Sequence, residues 1–145
     1  MMDPDFQLCG LSVWVKSRLF PDNSSSWDGN WLMVRARMES TGATVTAEGP
    51  LLMTNDLERF RTQLETMNES LTGEASLHGY EPNLRVTLGA DGLGHISGEV
   101  EITPDHLSEC HRFDIWGFDQ TYLPALIHSL DRILERFPII EEPDP

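Results

Sequence analysis

The chain has 145 residues, 39% of them apolar and 8% aromatic, enough for one packed core of the commonest domain size and too few for two. Its 24 Asp and Glu against 10 Lys and Arg leave a net charge of -14 at pH 7, which speaks against nucleic-acid binding and against anionic membrane surfaces, because both require a basic stripe that no window supplies. A basic protein partner, by contrast, gains association rate from long-range attraction, and the same charge serves solubility.

From Leu11 to Lys16 the residues alternate, Leu11, Val13 and Val15 against Ser12, Trp14 and Lys16, which is the period of a half-buried strand. Pro21 to Asp28 reads as a loop. After Gly29 a second strand sets Leu32, Val34, Ala36 and Met38 inward and Met33, Arg35, Arg37 and Glu39 outward. Ser40-Thr41-Gly42 makes a hairpin turn, and a third strand over 43–48 points Ala43, Val45 and Ala47 at the core before Gly49-Pro50 ends it. A helix follows, capped by Thr54 or Asn55, with Leu57, Phe60, Leu64 and Met67 as one stripe and a stop near Asn68.

Residues 71–82 read as a loop with a short strand around Leu77. Leu84, Val86 and Leu88 alternate next, then, after a turn over 90–94, Ile96, Gly98, Val100 and Ile102 alternate with His95, Ser97, Glu99 and Glu101. The last strand covers 111–118, with Phe113 and Ile115 opposite Arg112, Asp114 and Trp116. A closing helix starts after Thr121, carries Pro124 in its first turn, and buries Leu126, Ile127, Leu130, Ile133, Leu134 and Phe137 until Pro138 stops it.

These elements predict an α+β fold in the order βββαβββα: a mainly antiparallel sheet of about six strands with two helices on one face. A single domain is expected, with an ordered core over 6–138 and an acidic tail over 139–145. Helices on one face leave the other wet, and the alternation places Trp14, Arg35, Arg37, Arg85, Glu99, Glu101, Asp114 and Trp116 there. Charge mixed with large aromatics marks this face as the candidate partner-binding surface, although solvated sheet faces also carry charge pairs for purely structural reasons.

The opening MMDPDFQLCG has neither a positive region nor a long apolar segment, and no apolar run approaches the roughly 20 residues that span a bilayer. A cytoplasmic chain is expected, with Cys9 and Cys110 as reduced core thiols. The sequons at Asn23 and Asn68 are then chance matches.

Two blocks carry a family likeness: Trp27-Asp28-Gly29-Asn30-Trp31-Leu32 and Glu81-Pro82-Asn83-Leu84. With the Asp-bearing entry to the last helix and Arg136-Phe137-Pro138, they resemble the WapI-type immunity proteins of bacterial polymorphic toxin systems, over roughly Phe6 to Pro138. The resemblance implies a small cytoplasmic antitoxin that binds and neutralises the toxic C-terminal domain of a cognate secreted protein, often a nuclease; from the residues, a monomer is expected, or a homodimer packed through the wet sheet face. On the residues themselves, both blocks have structural work to do. Asp28-Gly29-Asn30 is turn chemistry, Trp27 and Trp31 clamp it onto the core, and Asn83 caps a strand end.

No nucleophile elbow, phosphate-cradling loop or other catalytic frame occurs, and no cofactor is expected. His106, Cys110 and His111, with Asp105, form the one group of metal-ligand character, but adjacent Cys110 and His111 point to opposite faces of a strand, so a buried apolar Cys110 and two surface histidines fit better than zinc. Glu99 and Glu101 could pair as acid and base, yet nothing builds a pocket around them. A non-enzymatic binding module is therefore the leading reading, and a small ligand-binding or metal-binding domain or enzyme working on the open sheet face is the alternative.

Overall fold

A computed structural model describes residues 2–141. Four strands, β1 (Phe6–Leu8), β2 (Leu11–Arg18), β3 (Trp31–Glu39) and β4 (Thr44–Met53), are followed by helix α1 (Thr54–Ser70). Four more, β5 (Thr72–Leu77), β6 (Leu84–Asp91), β7 (His95–Ile102) and β8 (Arg112–Asp119), are followed by helix α2 (Leu123–Arg136). The fold is α+β and antiparallel as expected, but eight strands form two sheets, β1-β2-β3-β4 and β5-β6-β7-β8, where one sheet of about six was predicted. The two-fold recurrence of strands and helix holds, now as ββββα repeated.

Each departure has a local cause. β1 is only three residues long, too short for alternation to register, and it joins β2 through a tight turn at Cys9, whose φ is 53°. β4 runs through Gly49-Pro50 because it is an edge strand with a bulge there. The register slips between Leu32 and Val34 of β3, so Pro50, which lacks an N–H, breaks no ladder bond. Ala43 lies exposed in the turn and not in the core, because β4 starts only at Thr44. β5 was hidden by its opening residues, Thr72, Gly73 and Glu74, all exposed; only Ala75 and Leu77 face inward. The capping hydroxyl expected at the start of α1 has another duty, and Asp56 Oδ2 reaches back to accept the N–H of Met53, the residue before the helix, at 2.8 Å.

One continuous apolar core collects the inner faces of both sheets and both helices. Phe6, Leu11, Val13, Leu32 and Val34 come from the first sheet, Leu77, Leu84, Val86, Leu88 and Val100 from the second, and Leu57, Phe60, Leu64, Leu130 and Ile133 from the helices. Both cysteines lie outside it. Cys9 and Cys110 are exposed, not buried, because each sits in a connection, one in the β1–β2 turn and one in the loop before β8.

Two polar nodes fasten the core's margins. Asn30, fully buried, uses all four hydrogen-bonding positions of its carboxamide. Its Nδ2 donates to the carbonyls of Ser26 (2.8 Å) and Ile140 (3.0 Å), while its Oδ1 accepts from Thr54 Oγ1 (2.8 Å) and the Ile140 N–H (2.8 Å). Thr54 is thus spent on Asn30 and not on capping its helix. The preceding Gly29 leaves no room for a side chain, because a Cβ there would stand 2.6 Å from the Asn23 carbonyl oxygen and 2.7 Å from Ile140 Cδ1. Arg18 completes the fastening by donating to the carbonyls of Gly29 and Pro138.

The second node lies where β1 runs out. The next ladder position of β2, Val15, keeps an N–H and a C=O with no strand opposite. Asp5 Oδ2 accepts that N–H at 2.6 Å, Arg136 Nη2 donates to that carbonyl at 3.2 Å, and the two side chains pair with each other at 2.6 Å. An ion pair between residues far apart in the sequence therefore stands in for a missing stretch of strand.

Replacing Asn30 with Ala would leave Thr54, Ser26 and Ile140 with unmet buried polar groups, so Asn30→Ala should cost about 3 kcal/mol in urea denaturation; a loss within 0.5 kcal/mol, on the order of a neutral surface change, would contradict the node. Because the Asp5–Arg136 pair is partly exposed, a double-mutant cycle with Asp5→Ala and Arg136→Ala should return a coupling of only about 1 kcal/mol.

Candidate functional site

Each sheet turns one face to the core and the other to water, so the expected wet face is real but divided. The residues expected on one surface fall on two sheets. Glu99, Glu101, Asp114 and Trp116 stand on the outer face of the second sheet, with Arg85 and Arg112, whereas Trp14, Arg35 and Arg37 stand on the outer face of the first.

On the second sheet, β7 and β8 set Glu99 directly opposite Asp114 and Glu101 opposite Arg112, while β6 sets Arg85 on the other flank of Glu101. Carboxylates facing one another across a ladder repel, a cost to the sheet. Arg112 Nη1 stands 3.8 Å from Glu99 Oε1 with 60% of its side chain exposed, which offsets little of that cost. Trp116 is 77% exposed. It rides on a bulge where β8 spends an extra residue between Ile115 and Phe118 and Gly117 takes φ 83°, so that Phe118 returns to the core while the indole stays out.

The first-sheet group is engaged within the chain. The guanidinium carbons of Arg35 and Arg37 lie 5.6 and 5.4 Å from the Trp14 ring centroid, and the Trp14 Nε1–H donates to the Met2 carbonyl at 3.0 Å. Arg37 also pairs with Glu39 at 3.2 Å, and Lys16 with Glu48. Stacking two cations on one indole stabilises a local cluster and leaves less of each to offer a partner.

An aromatic surface cluster went unrecognised in the sequence. Trp27 was expected to clamp its turn onto the core; it is 48% exposed and packs instead, edge to face, on Trp31 (6.0 Å between centroids) and Tyr80 (5.0 Å). Trp31 and Tyr80 lie 6.4 Å apart, and Tyr80 is 71% exposed. The turn is held by Asn30 and Gly29, which frees Trp27 from that task. The polar flank Ser24-Ser25-Ser26 and Asp28 was the available sign that Trp27 faces water, whereas nothing local tied Tyr80, from the β5–β6 connection, to residues 27 and 31. Asn83, by contrast, does cap a strand end: its Nδ2 donates to the Thr103 carbonyl at 2.8 Å, just past β7.

The group around His106 does not assemble a metal site. Asp105 accepts from Ser108 Oγ (2.6 Å) and the Leu107 N–H (3.1 Å), the work of a turn former, and among the described residues no three His, Cys, Asp or Glu side chains are placed to share an ion. Glu99 and Glu101 lie on the open outer face of the second sheet. One cleft, of about 470 Å³, runs between β1 and α2 and carries the carboxylates of Asp3 and Asp5, the second already committed to Val15 and Arg136. Among the described residues no helix is long and apolar enough to cross a membrane.

The described residues form a small antiparallel α+β fold with two wet sheet faces and an exposed aromatic cluster. The chain belongs to the immunity protein WapI-like family, which it matches over residues 5–138. No curated protein matches it. Among solved structures, it resembles a chain described as "CdiA-CT/CdiI toxin and immunity complex from Enterobacter cloacae", with 12% identity, a TM-score of 0.45, and coverage of 84% of this chain and 99% of that one.

Three surface aspartates tune the fold's response to acid. The Leu93 N–H and then His95 hold the Asp91 carboxyl below its ordinary pKa, the Ser108 hydroxyl and Leu107 N–H do so for Asp105, and the Thr121 hydroxyl and N–H for Asp119. A carboxyl lowered in the folded state contributes stability above its unfolded pKa and loses it as pH falls through the folded value. Melting temperature followed by circular dichroism should therefore fall from about pH 4 downward, and Asp91→Asn should shrink that fall; a profile identical in variant and parent would refute the assignment.

Proposed function

We propose that this protein acts in the cytoplasm as a non-enzymatic immunity protein, binding and neutralising the toxic C-terminal domain of a cognate bacterial toxin. Membership of the immunity family over residues 5–138 is the observation that carries the reading. The geometry supports it. Immunity by occlusion asks for a rigid surface complementary to the toxin and for no chemistry of its own. The net charge of -14 favours a basic partner.

Within this reading the outer face of the second sheet docks the toxin. Glu99 and Asp114 are kept face to face at a cost to the sheet, and a lysine or arginine from a partner would relieve that repulsion while Glu101 extends the acidic field. Trp116 offers the large, rigid apolar surface typical of interface anchors. Trp14, Arg35 and Arg37 contribute at the periphery, on the other sheet. The free protein is a monomer or homodimer.

The test is to purify the protein with an inactivated toxin domain encoded beside its gene and measure binding kinetics. Association should slow as salt rises from 50 to 500 mM, on the order expected when the Debye length shrinks from roughly 14 to 4 Å, and Glu99→Gln with Asp114→Asn should slow it further while co-expression of the parent rescues cells from the active toxin. Failure of the two proteins to bind at low salt, or absence of rescue, would remove the proposal.

A further inference from the structure

The cluster of Trp27, Trp31 and Tyr80 is a surface feature that the fold does not require. Single exposed aromatics are ordinary, but three contiguous rings drawn from both halves of the chain are not. Trp27 and Trp31 flank the 3₁₀ turn that precedes the third strand of the first sheet, and Tyr80 comes from the first connection of the second sheet. Among the described residues, neither indole N–H nor the phenol hydroxyl of this cluster hydrogen-bonds within the chain; Trp14 is the tryptophan that does. Aromatic rings with an unused polar handle suit a surface that becomes buried on binding.

The platform is also stiff. Gly29 and Asn30, which lie between the two tryptophans, are buried and locked by Arg18, Thr54 and Ile140, so the backbone that carries Trp27 and Trp31 needs little reordering when a partner covers it. Its charge is one-sided. Asp28 follows Trp27 and Glu81 follows Tyr80, and neither carboxylate has an ion-pair partner among the described residues. Arg59, which reaches the same loop, is spent on Asp56 (3.2 Å) and the His78 carbonyl (2.6 Å).

We infer that Trp27, Trp31 and Tyr80 form the anchor of the toxin interface, an aromatic seat bordered by Asp28 and Glu81 that receives an arginine or lysine side chain of a basic toxin surface. This rests on the immunity reading and adds to it the place where most of the binding energy is concentrated. Cation–π attraction to the rings and ion pairing with the two carboxylates would select a cation, and the apolar bulk of the rings would exclude water around it.

The experiment measures Kd for the full chain and its variants against the inactivated toxin domain encoded beside the gene, with circular dichroism on each variant. Tyr80→Ala and Trp27→Ala should each weaken binding by at least about 30-fold, chiefly through faster dissociation. Asp28→Asn with Glu81→Gln should weaken it by about 10-fold, with a shallower salt dependence. Leu107→Ala, an exposed apolar residue outside the cluster, should bind as the parent does. Since Tyr80 is mostly in water, its variant keeps the test informative even where Trp27→Ala lowers stability. If the parent fails to bind, the immunity reading itself falls. If the parent binds and folded Tyr80→Ala and Trp27→Ala bind within about threefold of it, on the order of an energetically neutral contact, the anchor is overturned while immunity stands. A parent that is dimeric by light scattering, and becomes monomeric on Tyr80→Ala with unchanged toxin affinity, would reassign the cluster to self-association and overturn the inference equally.

Discussion

The carboxamide of Asn30 is the constraint on which the rest of the arrangement depends. It is a small neutral group placed where three separate parts of the chain converge: the loop leading into β3, the first residue of α1, and the segment that follows α2. Each would otherwise bring backbone or hydroxyl groups into a dry environment without partners, at about 1–3 kcal/mol apiece. Only an amide side chain offers two donors and two acceptors in one plane, so aspartate, which has no donors when ionised, cannot substitute for it there. Gly29 belongs to the same solution, since the space a Cβ would need is taken by Asn23 and Ile140.

That constraint explains why the aromatic cluster can be exposed. In a looser turn, Trp27 would be needed as ballast against the core; here the turn is held from within by polar bonds, and the indole is released to the surface. The same division of labour recurs at β8, where the Gly117 bulge lets Phe118 do the packing and leaves Trp116 in water. In both places backbone geometry, not side-chain burial, fixes the local shape, and the large side chain is left over for recognition. The cluster and the acidic face of the second sheet are thereby presented on supports that need little rearrangement when covered.

Most of the elements were legible in the sequence where alternation was long and clean, as in β2, β3, β6 and β7, and where a helical stripe was continuous, as in α2. What escaped was short or interrupted. β1 has three residues, β5 opens on exposed polar positions, and β4 passes through a Gly-Pro pair that ordinarily ends a strand. Division into two sheets was also beyond reach, because alternation specifies which side of a strand is apolar but not which strands are neighbours. The outward orientation of Arg35, Arg37, Glu99, Glu101 and Asp114 was readable for the first reason, and their separation onto different sheets was not, for the second. Tyr80 was invisible as a partner of Trp27 because 52 residues of chain lie between them, and the contact exists only once both halves have folded.

The ion pair that completes β2 has a further effect on how the protein behaves at high concentration among other polypeptides. An unfilled donor and acceptor at Val15 would be an invitation for any extended polypeptide to lie alongside, the first step toward sheet-to-sheet aggregation. Asp5 and Arg136 occupy that berth with charged groups that an incoming strand would first have to displace. The short β1 is thus sealed at its open end, and an antitoxin that must persist beside its toxin is spared one route to loss by self-assembly.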